Sequence, residues 1–228
     1  MGSRGAPESR SSTVLYYVHD PMCSWCYAFA PVWAYVRHAL KDAVMTRTLL
    51  GGLAPDSDSP MPTEMQARIR GAWGKIASVV PGTEFNYDFW TLCIPRRSTY
   101  PACRAVIAAR EQGADYEYAM VDAIQRAYYR KARNPSLLET LIDLAEEVAL
   151  DTRRFKAALK STECENALQE EVRCAISLGV RGFPTLMLLN GNAAIHIQHD
   201  YNDAKLTARR VKEGVETLDL QLPAREIE

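Results

Sequence analysis

The spacing of apolar and polar positions changes several times along this 228-residue chain, and each change marks an element. Val14-Leu15-Tyr16-Tyr17-Val18 is a short apolar run of high β propensity, closed by the turn pair Asp20-Pro21, and predicts a strand. Beyond it Trp25, Phe29, Val32, Trp33 and Val36 recur at helical spacing as far as Leu40. Residues 43–49 predict a second strand, ended by Gly51-Gly52, and 54–62, rich in Pro, Asp and Ser, reads as an exposed loop. The stretch from 63 to 178 is almost wholly helical in pattern, with helices expected over 63–80, 100–112, 114–131, 136–148, 151–159 and 162–178. Pro81-Gly82, Pro95, Gly113, Asn134-Pro135 and Gly179 punctuate it, and Asp151 and Ser161 or Thr162 are suited to cap helices. Residues 185–189 then form a compact apolar strand. Asn190-Gly191 is a hairpin signal, and 193–198 returns with Ile195 and Ile197 alternating against His196 and Gln198. A last helix is expected over 203–215, with a frayed tail beyond Leu222.

Composition narrows the function classes without choosing among them. Apolar residues at 47% and charged residues at 24% are ordinary for a folded globular chain and leave disorder and membrane spanning without support. The net charge of −1 gives no electrostatic footprint for nucleic acid or an anionic membrane, and the basic run from Arg126 to Arg133 reads as a solvated helix face and its end. Residues 1–12 are polar and lack the apolar run of a secretory signal, so the expected location is cytoplasmic. In that compartment thiols are kept reduced, and a transient catalytic disulfide is expected in preference to a structural one.

Cys23 and Cys26 stand where the first strand runs into the first helix. A helix N-terminus offers unpaired N–H groups and a partial positive charge, both of which favour a thiolate, so Cys23 is the candidate nucleophile. Cys26, one turn further in, is the candidate resolving partner and the more buried of the two. Asp20 opposes the thiolate by its charge. Two other uses of the pair stand beside redox cycling: a structural disulfide, and half of a zinc site completed by His196 and His199. Of the remaining cysteines, Cys164 and Cys174 lie about 15 Å apart if their helix is continuous, too far to bridge. Cys93 and Cys103 flank a Pro-containing segment and are expected as free thiols.

Two motifs carry a family resemblance: Asp20-Pro21-Met22-Cys23-Ser24-Trp25-Cys26 opening the first helix, and Gly179-Val180-Arg181-Gly182-Phe183-Pro184-Thr185 before the third strand. With them the chain resembles the DsbA-like branch of the thioredoxin superfamily, in particular the predicted protein-disulfide isomerases of that branch. The resemblance implies an α/β fold with a thioredoxin-like core, 13–54 with 179–218, interrupted by a helical insertion domain, 62–178. It implies a cis Phe183-Pro184 bond facing the sulfurs, with the Phe183 backbone able to pair with an extended substrate. The implied activity is thiol–disulfide exchange: Cys23 forms a mixed disulfide with a protein or peptide partner and Cys26 resolves it. Catalytic roles fall to Cys23, Cys26 and Pro184, and substrate contacts to Trp25, Phe183 and Arg181; Tyr27 is a further aromatic candidate, and Phe29 is expected in the core in preference to a substrate surface. No cofactor or metal is implied, and glutathione enters as a redox partner. Ser24-Trp25 replaces the Pro-His of the best-known oxidase, which favours a reductase or isomerase role.

Two further functions remain open at this stage. One is a glutathione-dependent transferase or isomerase of the kappa and hydroxychromene carboxylate isomerase type, which shares the interrupted core but places a serine where Cys23 stands. The other is a non-catalytic binding module with an exposed aromatic surface.

Overall fold

The computed structural model describes residues 12–221, so the tail beyond Leu222 and most of the polar N-terminal segment lie outside the described residues. The element order is β1 (Val14–His19), α1 (Ser24–Leu40), β2 (Met45–Leu50), α2 (Thr63–Val79), α3 (Phe89–Leu92), α4 (Tyr100–Arg110), α5 (Ala114–Tyr129), α6 (Leu138–Glu147), α7 (Thr152–Leu159), α8 (Thr162–Ser177), β3 (Thr185–Asn190), β4 (Ala193–Ile197) and α9 (Ala204–Gln221). The strands form one four-stranded sheet in the order β2-β1-β3-β4. It is a mixed α/β fold of the kind the resemblance implies.

Two compact units can be told apart. Among the described residues the first comprises 12–17, 31–48 and 185–221, and the second 18–30 and 49–184. The expected division follows the order of the elements, 13–54 with 179–218 against 62–178, whereas this grouping places residues 18–30, 49–54 and 179–184 with 62–178.

Within the first unit β3 and β4 pair antiparallel, with Leu188 opposite Ile195 and Asn190 opposite Ala193. The two-residue loop is therefore Gly191-Asn192, one residue later than the predicted turn. Asn190 stays in the ladder because its side chain is engaged on both sides, accepting from Ser12 and donating to Asp219, and Gly191 takes the positive φ of 57°. Gly214 lets α9 lie against the hairpin: a Cβ there would meet Leu188 Cδ1 at 2.6 Å and Ile197 Cδ1 at 2.9 Å. The helix runs to Gln221, past the predicted end, because the buried Leu218 extends the apolar stripe of Ala208 and Val211.

The second unit is built around Trp73, which is completely buried and stacks on Phe85 with ring centroids 5.0 Å apart. Tyr128 and Tyr129 meet the same indole edge-on at 5.6 and 5.5 Å, geometries that add to the burial of large apolar surface. The helix starts at Asp151 and Ser161 are capped as expected: Asp151 accepts from Arg154 N–H at 2.9 Å and Ser161 Oγ from Cys164 N–H at 3.0 Å. Two expectations need correction. The four-residue α3 was not foreseen, being shorter than one period of the helical pattern. The 54–62 loop is not simply exposed: Ala54 and Met61 at its ends are buried, and Pro60 bridges Arg96. The basic run behaves as read, each cation meeting a carboxylate: Arg126 with Asp122, Arg130 with Glu84, Lys131 with Glu147 and Arg133 with Asp143.

Candidate active site

The site begins at a turn that Asp20 organises. Its Oδ1 accepts the Met22 N–H at 2.8 Å, an Asx turn that swings the chain out of β1. The Cys23 N–H then returns to the Asp20 carbonyl at 3.0 Å, and the Cys23 carbonyl accepts from Tyr27 N–H at 3.0 Å as the first helical bond of α1. Cys23 is thus the residue at the helix mouth. The Met22 carbonyl is held by the Tyr129 hydroxyl, which donates to it at 2.7 Å.

Both thiols are free, and the more exposed is Cys23 at 8%, with Cys26 at 0%. The Cys26 thiol, donating to Cys23, is the largest influence on the Cys23 pKa and lowers it; the N–H groups of Cys26 and Trp25 act in the same sense. Burial and the Asp20 charge oppose them, and the net direction is down. Cys26 moves the other way, pushed well up by burial, then by its hydrogen bond to Cys23 and by the charge of that neighbour. The two thiols are thus shifted in opposite directions, Cys23 towards the thiolate and Cys26 towards the protonated form.

Asp20 is completely enclosed, and burial raises its pKa. Its Oδ2 accepts from Leu53 N–H at 2.7 Å, from the Thr99 hydroxyl at 2.6 Å and from the Cys103 thiol at 3.6 Å. The opposition between Asp20 and Cys23 expected from the sequence is present. The donors that hold this carboxyl come from positions remote in sequence and carry no local signal.

The Phe183-Pro184 peptide bond is cis. The Phe183 carbonyl accepts from Cys23 Sγ at 3.5 Å, so the loop before β3 meets Cys23 directly. Gly51 makes room for the Phe183 ring, since a Cβ at that position would lie 1.9 Å from Cε1. Cys23, Trp25 and Phe183 open onto one cavity of about 360 Å³, walled also by Trp73 and Tyr128.

Other candidates sit elsewhere. Pro184 is buried, Arg181 is exposed, and the arginines of the cavity wall are Arg68, Arg96 and Arg97 instead. Tyr27 turns away from the cavity, stacking on Tyr129 at 4.4 Å, and Phe29 is core. Cys103 donates to Asp20, Cys93 to the Ala132 carbonyl and Cys164 to the Arg104 carbonyl. Among the described residues no group of three or more His, Cys, Asp or Glu is placed to hold a metal ion, and no helix is long and apolar enough to cross a membrane.

A helix-mouth cysteine pair facing a cis-proline loop is the arrangement of a thioredoxin-like fold. The family model described as thioredoxin matches residues 16–204, and the chain belongs to that family. It is 26% identical over 177 residues to the ClpXP adapter protein SpxH of Bacillus subtilis (strain 168), taking in 77% of this chain and 58% of that protein. The corresponding protein of Halalkalibacterium halodurans is 24% identical over 189 residues, 81% of this chain and 61% of that one. The chain thus spans about three fifths of the length of these curated relatives. Among solved structures it resembles a proposed protein disulfide isomerase from Nitrosomonas europaea, with TM-score 0.78, 26% identity and coverage of 93% and 99% of the two chains. It also resembles the cytosolic disulfide reductase DsbM of Pseudomonas aeruginosa, with TM-score 0.67, 24% identity and coverage of 92% and 98%. DsbM has also been solved with glutathione, and that structure superposes with TM-score 0.65 at 23% identity over 92% of this chain and all of the other (100%).

Proposed function

We propose that the protein reduces or isomerises disulfides of protein, peptide or glutathione partners in the cytoplasm, through a mixed disulfide on Cys23 that Cys26 resolves. The observation that carries this reading is the opposed tuning of the two thiols at one helix mouth, the lowered one facing the cavity. Cys23 thiolate attacks a partner disulfide, one partner sulfur leaves as thiolate, and the mixed disulfide forms. At that moment the charge on Cys23 vanishes. Two of the causes that raise the Cys26 pKa, its bond to Cys23 and the Cys23 charge, vanish with it. Cys26 then loses its proton more readily and attacks Cys23, so the first step prepares the second.

The Phe183 carbonyl, already within reach of Cys23, and the half-buried Trp25 and Phe183 rings support roles in seating the partner chain beside the sulfur. The reductive direction is supported by how the thiolate is held. Donor groups stabilise it while burial and Asp20 work against it, and no cation is among the leading influences. A dithiol only moderately stabilised is a better reductant. Insulin reduction by wild type and by Cys23→Ser tests the reading, with activity expected to be lost in the variant; equal turnover by both would remove Cys23 from the mechanism. In Cys26→Ala a mixed disulfide on Cys23 is expected to accumulate and to be visible by mass.

A further inference from the structure

We propose that the cavity beside Cys23 selects thiols and disulfides that carry carboxylates, with Arg68, Arg96 and Arg97 as specificity-determining residues and glutathione disulfide as the low-molecular-weight partner. The inference rests on the function proposed above and adds to it the chemistry of the partner.

The three guanidinium groups come from separate segments, Arg68 from α2 and Arg96 and Arg97 from the connection between α3 and α4, yet they share one wall. No aspartate or glutamate lines that cavity. A basic chain would show such a cluster by chance, but this one has 27 basic and 28 acidic residues. Two partly buried arginines elsewhere in the same unit are matched and do not line this cavity: Arg104 meets Asp56 and Glu165, and Arg110 meets Glu117 and Glu171. Arg68 and Arg97 make no ion pair among the described residues; Arg68 donates to Met65 Sδ at 3.2 Å. Arg96 meets Asp58, whose carboxylate is wholly exposed and is readily exchanged for a ligand's.

Guanidinium groups at the wall of a site, two of them without an ion pair and the third held by an exposed carboxylate, are suited to bidentate capture of carboxylates. The volume of about 360 Å³ fits a small peptide-like molecule better than a folded surface, near the lower end of the ~300–1,000 Å³ usual for ligand sites. Trp25, Trp73 and Phe183 supply apolar walls for its middle. Glutathione has this build, a thiol between two carboxylate-bearing ends.

The exchange balances without a further reactant. Cys23 thiolate attacks one sulfur of glutathione disulfide, the Cys23–glutathione bond forms, the original S–S bond breaks and one glutathione thiolate leaves. Cys26 thiolate then attacks Cys23, the second glutathione thiolate leaves and the Cys23–Cys26 disulfide closes. The protein dithiol is oxidised by two electrons, the glutathione disulfide is reduced by two, and the two thiol protons end on the two glutathiones.

The test measures the rate at which reduced protein is oxidised by three small disulfides: glutathione disulfide, which is anionic, hydroxyethyl disulfide, which is neutral, and cystamine, which is cationic. Arg68→Gln/Arg97→Gln is expected to lower the glutathione-to-cystamine rate ratio by about tenfold or more, the loss of one or more charge-assisted hydrogen bonds. Added salt is expected to slow wild type with glutathione disulfide and to leave hydroxyethyl disulfide unaffected. This second arm uses the unaltered protein and stands whether or not the double variant folds. A wild-type preference for glutathione disulfide that ignores salt, or a ratio unchanged in the folded double variant, would overturn the assignment of the arginines alone. Failure of wild type to react with any of the three would remove the underlying oxidoreductase reading as well.

Discussion

At Cys23 the thiolate is held by hydrogen-bond donors, and the strongest of them is its own redox partner. In the proposed mechanism residue 26 therefore serves twice, first as the donor that steadies Cys23 and then as the nucleophile that releases the product. The two uses can be separated. Cys26→Ser keeps a hydroxyl donor, whereas Cys26→Ala removes it and leaves only the backbone N–H groups against burial and the Asp20 charge. Alkylation of Cys23 by iodoacetamide follows the thiolate fraction, so its pH profile reports the pKa. The midpoint is expected below the ordinary thiol value in the Cys26→Ser protein and higher in Cys26→Ala. Coincident profiles for the two variants would show that the thiol–thiol bond does not govern Cys23.

Among the elements, the junction after β2 has a demand that the sequence displays only as a pair of glycines. Gly51 lies under the Phe183 ring, and the predicted Cβ distance of 1.9 Å leaves no room for a methyl group without moving that ring. Gly51→Ala is therefore expected to cost about 1–3 kcal/mol in stability, the usual penalty of overpacking, read as a lower urea midpoint. It should also slow insulin reduction beyond what the fraction unfolded explains, because the displaced ring belongs to the peptide whose carbonyl meets Cys23. Gly-Gly was legible as a strand stop. Its role as a seat for a residue from the far end of the chain was not, since no local pattern encodes that approach. The same split runs through the other elements. Helix starts at Asp151 and Ser161 were legible because a cap is a local hydrogen bond. The one-turn α3 lacked a full period, and the end of α9 depends on Leu218 finding a buried place. Cys23, Cys26 and the Phe183-Pro184 loop were legible as short motifs. Arg68, Arg96, Arg97 and Thr99 were not, because each reaches the site only through the packing of helices the sequence orders but does not assemble.

For the molecule as a whole, the paired cysteines belong to the compact unit that also contains α2 to α8, and those helical segments supply part of the surroundings of the thiols. Tyr129 fixes the Met22 carbonyl, and Trp73 and Tyr128 wall the cavity. Thr99 donates to Asp20 while accepting from the Ala54 N–H at 3.1 Å, tying the loop after β2 to the start of α4. Thr99→Val keeps the shape and removes the hydroxyl. A buried carboxyl that loses one donor costs about 1–3 kcal/mol, and the loss should appear as a lowered urea midpoint. The effect on chemistry has the opposite sign. The Thr99 hydrogen bond lowers the Asp20 pKa against the rise imposed by burial, so removing it leaves Asp20 more fully protonated and weakens the charge that opposes the Cys23 thiolate. A raised Asp20 pKa means that the folded protein keeps this proton when the unfolded chain, near 3.8, has lost it. The stability it contributes is present on the acid side and is lost as pH rises through the folded value. In Thr99→Val that loss moves to higher pH, and the iodoacetamide midpoint of Cys23 moves down although the protein is less stable. Thr99→Ser, which restores the hydroxyl, should return both. An upward shift of the Cys23 midpoint in Thr99→Val would show that the helical segments support the fold around the thiols without setting their reactivity.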